Sequence, residues 1–444
     1  MTRIHWFGVG VVAGVILGWP LAVVFGLAGL ISLFFKSKSR LIWSLLLVGS
    51  LLGQSRLWQY HQSLSAQNIA PELNKALAVV IAPQDNRDGY GYLTLRLQRP
   101  FTGQLRVTIT PYEHYLPGDL LTISGASQTP AIIDDGAKSF DYPTYLARFG
   151  ITKVVKRPQL VKTGTVQRRW LALRWLTGFR QFLERHINLM LPEPEAGFLA
   201  GLLLGSRRAL SEGTLANLTQ TGTIHIIAVS GANVVIVAGI CLQLCRLVTG
   251  HRWWSFWLTW GVIGGFVVLT GVSAAAVRGG LVASLTLIAS HTARGNQKLP
   301  LIILPAALTL LANPYFKYDI GWQFSFAAFT GIVLAAPVIQ QLLQRWPRCP
   351  PLIAQPLVET TSANIFLTPV LIWQLNALSF SSFLINPLVL WLVPLATMAG
   401  AGGLLAGFVL PNTLVRLIVW LPLHLILQII AFGARLPWYV DWSS

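Results

Sequence analysis

The stretch GTIHIIAVSGANVVIVAGICLQLC, Gly222–Cys245, decides how the rest of the chain is read. It carries no acidic or basic side chain except His225, and it is long enough for the roughly 20 residues a bilayer-spanning helix needs. Ser230, Gly231 and Asn233 interrupt it. Polar groups in a hydrocarbon setting need internal partners, and a Ser-Gly pair suggests a broken helix, which is tolerated where it lines a cavity. Arg246–Arg252, a basic loop, follows at once.

Working outward, the same reading applies to 254–272, 274–291, 299–312, 319–343, 357–375, 382–408 and 412–434. Residues 197–210 read as a re-entrant or interfacial helix. The further basic loops, Arg294–Lys298 and Arg345–Arg348, are each two spans from the one before, so all three face one side. The excess of Lys and Arg in short cytoplasmic loops makes that side the cytoplasm. Of 444 residues, 54% are hydrophobic and 11% charged, and mean hydropathy is +0.59. A soluble chain carries about a quarter charged residues, so composition agrees with the membrane class. The 17 Trp suit interfacial belts.

Toward the N-terminus, apolar segments at Trp6–Gly18, Leu21–Phe35 and Leu41–Leu57 read as anchors rather than a cleaved leader. The first two are expected to form a tight pair. Lys36, Lys38 and Arg40 lie before the third. With that loop and the N-terminus cytoplasmic, the chain after the third segment emerges outside.

Residues 59–165 change character. Ala76–Ile81, Tyr92–Leu97, Gln104–Ile109 and Asp119–Ile123 alternate in polarity and are separated by turn residues, as in a small β-barrel or sandwich. Arg87, Arg96, Arg99 and Arg106 accompany Tyr90, Tyr92 and Phe101 there. Rings that stack bases and arginines that hold phosphates suit single-stranded nucleic acid; ordinary surface charge would read the same way. VQRRWLALRWLTGFRQFLERHINLM, Val166–Met190, is too charged to span and reads as an amphipathic helix on the membrane surface. The expected organisation is therefore 1–58 membrane helices, 59–165 an OB-like extracytoplasmic barrel, 166–196 an interfacial helix and linker, and 197–444 a helical membrane domain. The fold class is a polytopic α-helical membrane protein with an inserted small β-barrel.

After residue 197 the acids are Glu212, Asp319, Glu359 and Asp441, against many more Arg and Lys. A polyanion pathway avoids buried carboxylates, whereas a cation pathway needs them. Arg278, among small residues in GVSAAAVRGG, is costly in lipid, so it faces protein or a watery cavity. It could touch phosphates, pair with Asp319, or snorkel. Asp319, Gln323, Thr361 and Asn386 add polar groups to other spans; each alone is ordinary helix–helix glue, and together they argue for a polar interior. Ser230 with His225, or with His424 from another span, is also the raw material of an intramembrane serine hydrolase, although His225 is poorly spaced for a helical dyad. Cys241 and Cys245 lack neighbouring ligands, so no metal or cofactor site is expected.

Taken together, Gly201–Val234, GVSAAAVRGG (Gly271–Gly280), DIGWQFSFAAFTGIVLAAP (Asp319–Pro337), TTSANIFLTPV (Thr360–Val370) and NPLVLWLVP (Asn386–Pro394) resemble the ComEC/Rec2 competence family of inner-membrane DNA-uptake channels, in the family's order. FDYPTYLARFGI (Phe140–Ile151) resembles the end of that family's outer domain. The resemblance implies translocation of single-stranded DNA across the bacterial plasma membrane during natural transformation. A cytoplasmic motor protein, a periplasmic DNA receptor and a separate nuclease are the implied partners. His225, Ser230, Gly231 and Arg278 carry over by position. Many relatives read Ser-Gly-Leu-His where this chain has Ser230-Gly231-Ala232-Asn233. Many also carry a metallo-β-lactamase-like nuclease domain, whose His-x-His-x-Asp-His cluster this sequence lacks. A transport channel rather than an enzyme is expected, with a small-anion or lipid transporter as the alternative.

Overall fold

The computed structural model describes residues 3–17, 37–87, 89–110, 112–134, 139–164, 168–206, 210–227, 231–271, 274–291, 299–343, 351–375, 377–407 and 413–441. The chain divides into two compact units: Met1–Phe182 with Ala307–Asp319, and Leu183–Ala306 with Ile320–Ser444.

The first unit opens with helices α1 (Arg3–Leu17) and α2 (Ser37–Ser65). Glycines at four-residue spacing on both let the backbones touch. A Cβ on Gly10 or Gly14 would sit 2.3 Å from the carbonyl oxygens of Leu46 or Ser50, and one on Gly49 would sit 2.3 Å from that of Phe7. Such close approach is how apolar helices gain packing energy without a hydrophobic driving force between them. The close pair observed is thus made by the first and third apolar segments, whereas the pair expected was the first and second. The second falls outside the described residues.

The barrel follows. Its strands are β1 (Glu72–Val80), β2 (Asp85–Arg87), β3 (Tyr90–Leu97), β4 (Gly103–Ile109), β5 (Leu120–Gln128), the short pair β6 (Ile133–Asp134) and β7 (Ser139–Phe140), then, after helix α3 (Tyr142–Ala147), β8 (Ile151–Lys156) and β9 (Gln159–Gly164). The order β1-β3-β4-β8-β5 closes through β1–β5 pairing. All contacts on this circuit are antiparallel except β4–β8. This is the five-stranded closed arrangement of an OB-like barrel, and closure removes the exposed edges a short sheet would otherwise present. Alternation explains the core: Leu93, Leu95, Leu105, Val107, Leu121 and Ile123 are fully buried while their neighbours point out. Each such side chain contributes about 1.5–3 kcal/mol relative to exposure.

Helix α4 (Leu171–Met190) is amphipathic as read from the sequence. In its first half, Trp175 and Phe179 stack in the open at 5.4 Å, and Arg174 donates to the buried carboxylate of Asp119 at 2.6 Å.

The second unit is helical: α5 (Glu195–Leu204), α6 (Glu212–Gln220), α7 (Gly231–Thr249), α8 (Arg252–Leu269), α9 (Ala274–His291), α10 (Pro300–Ala312, whose last residues belong to the first unit), α11 (Ile320–Leu343), α12 (Pro351–Leu375), α13 (Ser382–Leu390), α14 (Leu392–Gly407) and α15 (Thr413–Ala434). Its main core gathers α5 with residues of α13, α14 and α15. Every residue of α5 is buried, and Gly205, at φ +67°, ends it. The start of the segment 197–210, expected to be re-entrant or interfacial, lies at the centre of this core, because the ten residues of α5 are apolar on all sides except Glu195. A smaller cluster joins α7, α8 and α9.

The expected spans coincide closely with helices, but they are not equal. Among the described residues two, α11 and α15, are long and apolar enough to cross a membrane, and α13 with α14, bent by 42°, makes a third if counted as one span. The others are shorter, or, like α12, are interrupted by prolines and an acid. The stretch that opened the reading is not one helix: Ile224–Ile226 is a 3-10 turn, α7 starts at Gly231, and Ser230 lies outside the described residues.

Candidate nucleic-acid interface

The outward face of β3 and β4 carries most of the residues picked from sequence. Register sets Tyr92 opposite Thr108, Thr94 opposite Arg106, and Arg96 opposite Gln104. The diagonal neighbours Tyr92 and Arg106 touch, the guanidinium lying 4.1 Å from the ring centroid. Tyr90 meets Tyr92 edge to face at 5.2 Å. Burial raises the Tyr92 phenol above its ordinary pKa, and the neighbouring Tyr142 and Tyr90 add to this against the pull of Arg106, so the ring stays neutral.

Arg106 is also bonded to Asp85 at 3.5 Å, which offsets part of its charge. Arg96 is exposed, and Gln104, with its amide turned to donate to Phe149 O, accepts from it at 3.2 Å. Arg99 is exposed in the β3–β4 turn, at the other end of β3 from Tyr90. Arg87 pairs through its backbone with Tyr90. The structure therefore gathers Tyr90, Tyr92 and Arg106, with Arg96 further along the strand, and leaves Arg99 apart.

The sequence reading missed the second half of this surface. Phe140, Tyr142, Tyr145 and Phe149 come from the β7–α3–β8 connection. Tyr142 and Tyr145 stack at 6.1 Å, Phe140 lies 5.5 Å from Tyr145, and Tyr145 lies 5.7 Å from Phe149. Arg148 sits over Tyr145 at 4.1 Å and Phe149 at 4.5 Å. Asp141 caps α3 by accepting from Thr144 N at 2.9 Å, which presents the rings in order along one turn. In sequence these residues stood out only as a run rich in Tyr and Phe beside a single arginine. Strand 2–3 faces and the loop between strands 4 and 5 are where OB-folds take oligonucleotides, and here both carry rings.

Asp319, expected to add to a polar interior and a candidate partner of Arg278, is buried. It forms an ion pair with Arg148. The reason is the 3-10 turn Pro314–Tyr318, which belongs to the first unit. Arg56 caps the end of α10 through Leu311 O at 2.8 Å, Asn313 donates to Arg148 O at 2.7 Å, and Tyr315 packs on Tyr60 and bonds His61 at 3.1 Å.

In the second unit, Arg278 on α9 is 4% exposed and donates to Gly321 O at 2.9 Å. Gln323 accepts from Gln374 at 2.8 Å, tying α11 to α12. Thr361 is half-buried, and Asn364 and Ser382 face each other at 3.4 Å. Asn386, buried on α13, has an unsatisfied side-chain oxygen. His225 is exposed and meets Gly222 O at 3.0 Å. Gly231 and Asn233 stand in the first turn of α7. His424 bonds the buried Glu195 through Nδ1 at 2.7 Å and stacks on Trp420; Ser230, its candidate partner, lies outside the described residues. Cys241 and Cys245 have sulfurs 3.6 Å apart, and among the described residues no cluster of metal-ligating side chains forms.

The chain thus joins a closed OB-like barrel, with an aromatic and arginine-bearing face, to a helical unit with helices compatible with membrane insertion. Residues 202–444 match the competence protein family, and the chain belongs to that family, the ComEC/Rec2 competence proteins. It is similar to ComE operon protein 3 of Bacillus subtilis (strain 168), with 26% identity over 234 residues. The match covers 51% of this chain and 29% of that relative. No solved structure matches it.

Proposed function

We propose that this protein carries single-stranded DNA across the bacterial plasma membrane during natural transformation. In this reading the barrel lies outside the cell, the helical unit spans the membrane in several passes, and the N-terminus is cytoplasmic. The observation that carries the reading is the continuity of Tyr90, Tyr92 and Arg106 with Tyr142, Tyr145 and Arg148 on one barrel surface. Each ring offers a sequence-independent stacking plane, and the exposed Arg96 further along β3 can hold a phosphate, while Arg106 and Arg148, paired with Asp85 and Asp319, brace the rings. Membership of the competence family and similarity to a ComE operon protein support the same cargo. A separate nuclease, an external DNA receptor and a cytoplasmic motor complete the scheme.

The test is uptake of labelled DNA in a deletion strain and in its complement, separating label bound at the surface from label protected in the cytoplasm. Loss of protected label without this protein, restored by the complement, supports the reading. Unchanged entry overturns it and leaves transport of a small anion or lipid as the next reading to test.

A further inference from the structure

We propose that Arg278 and the first turn of α11 form a binding site for a phosphate-type oxyanion inside the helical unit. The proposal rests on the reading that the strand passes through this unit. Arg278 is buried, yet among the described residues its charge has no carboxylate partner: Nη2 donates to Gly321 O at 2.9 Å, while Nε and Nη1 have no hydrogen-bond partner at all. Three of the acids after residue 190 bond other groups. Asp319 pairs with Arg148, Glu195 with His424, and Glu359 accepts from Gln355 at 3.2 Å.

A guanidinium taken from water without a counter-charge is strongly unfavourable, and each of its unsatisfied donors adds to the cost. Such a group persists where an anion completes it during function. The hydrogen bond to Gly321 places the guanidinium against the second residue of a helix of 24 residues, and the Phe326 ring lies 5.6 Å from its carbon. Planar donors in a fork match two phosphate oxygens, a geometry that a lysine does not supply. Phosphodiester, free phosphate and a lipid headgroup share this chemistry.

The experiment is hydrogen exchange on the full chain in nanodiscs, read at the peptide containing Ile320–Phe326. The probes are a single-stranded phosphodiester oligonucleotide, the same sequence with neutral methylphosphonate linkages, inorganic phosphate, and nanodiscs of anionic in place of zwitterionic lipid. Slower exchange with the phosphodiester but not the methylphosphonate strand is expected. R278Q should raise the oligonucleotide concentration needed for protection by about tenfold or more, the size expected for a lost charge-assisted pair. Protection by phosphate alone or by anionic lipid keeps the site and assigns it to that source. No protection by any probe, or protection unchanged in R278Q, overturns the proposal. If R278Q fails to accumulate, R278K takes its place, with partial protection expected and unchanged protection counting against the fork. Cytoplasmic entry of DNA in the deletion strain is scored separately, so a wrong cargo and a wrong site give different results.

Discussion

Arg174, on the amphipathic helix that follows the barrel, reaches 2.6 Å to Oδ1 of Asp119 at the head of β5. Lys162 of β9 takes the other oxygen at 2.8 Å, and Leu116 N–H donates to the same oxygen at 3.1 Å. The carboxylate is buried, while its two cationic partners remain partly in solvent. One acid thus ties the barrel to the helix after it.

Asp119→Ala should lower the stability of the first unit by about 1.5–3 kcal/mol, the range for hydrogen bonds to a charged group whose partners keep some access to water. Denaturant unfolding of the full chain, followed by hydrogen exchange of β5 amides, checks it. A loss below the error of the measurement would mean that the two cations find other partners.

The same group sets a pH dependence. Burial pushes the Asp119 carboxyl up, but hydrogen bonds from Lys162, Leu116 N–H and Arg174 outweigh this and hold it below the ordinary carboxylate range. A depressed folded pKa contributes stability that is fully present above the unfolded value, about 4, and is lost as pH falls through the folded one. Barrel amides should therefore open more easily as the pH is lowered below about 4 in the native chain, and Asp119→Asn should flatten that dependence. An identical profile in both proteins would assign the acid lability elsewhere.

Arg148 and Asp319 form a pair with side chains 16% and 9% exposed. Removing either alone should cost about 3–5 kcal/mol, because the remaining charge is left buried. Replacing both, Arg148→Met with Asp319→Leu, should recover most of that loss, since Met keeps contact with the Tyr145 and Phe149 rings. A double-mutant cycle measures it; a double mutant no better than the worse single would show that the charges are not coupled.

The glycines divide into two groups with opposite predictions. Gly14→Leu, aimed at the Ser50 backbone, should separate α1 from α2 and reduce the amount of folded protein in the membrane. Gly261→Ala meets open space and should leave that amount unchanged. Gly178→Ala, in the middle of α4 with nothing near its Cβ, should stabilise the helix by about 0.5–1 kcal/mol. Quantitative detection of membrane-extracted protein separates the first two variants, and thermal unfolding scores the third.

For the interface, Tyr145→Ala should weaken single-strand binding by about 1–3 kcal/mol, comparable to Tyr92→Ala. Arg96→Gln should reduce the dependence of affinity on log salt by about one unit, because one phosphate contact is removed. Titrations at several salt concentrations with the full chain measure both. Retention of wild-type affinity in Tyr145→Ala would confine the interface to the strands.

Local pattern alone determined much of this protein. Alternation along Tyr92–Leu97 and Gln104–Ile109 specified strands with one buried face, since the side-chain period of a strand is two. Continuous apolar runs bounded by basic loops specified helices in nearly the observed places, and the spacing of charged and apolar residues in Val166–Met190 specified an amphipathic helix. These features need no knowledge of what lies across the fold. Partnership does need it. Asp319 chose Arg148, 171 residues away, over Arg278, because the turn before it belongs to the first unit and the helix after it to the second. Phe140, Tyr142 and Tyr145 joined Tyr92 because barrel closure brings a loop beside a strand, which no spacing in the sequence encodes. Glu195, the lone acid of a buried helix, took His424 from the last helix. Buried charges and rings are decided by whichever group can reach them, and reach is a property of the tertiary structure.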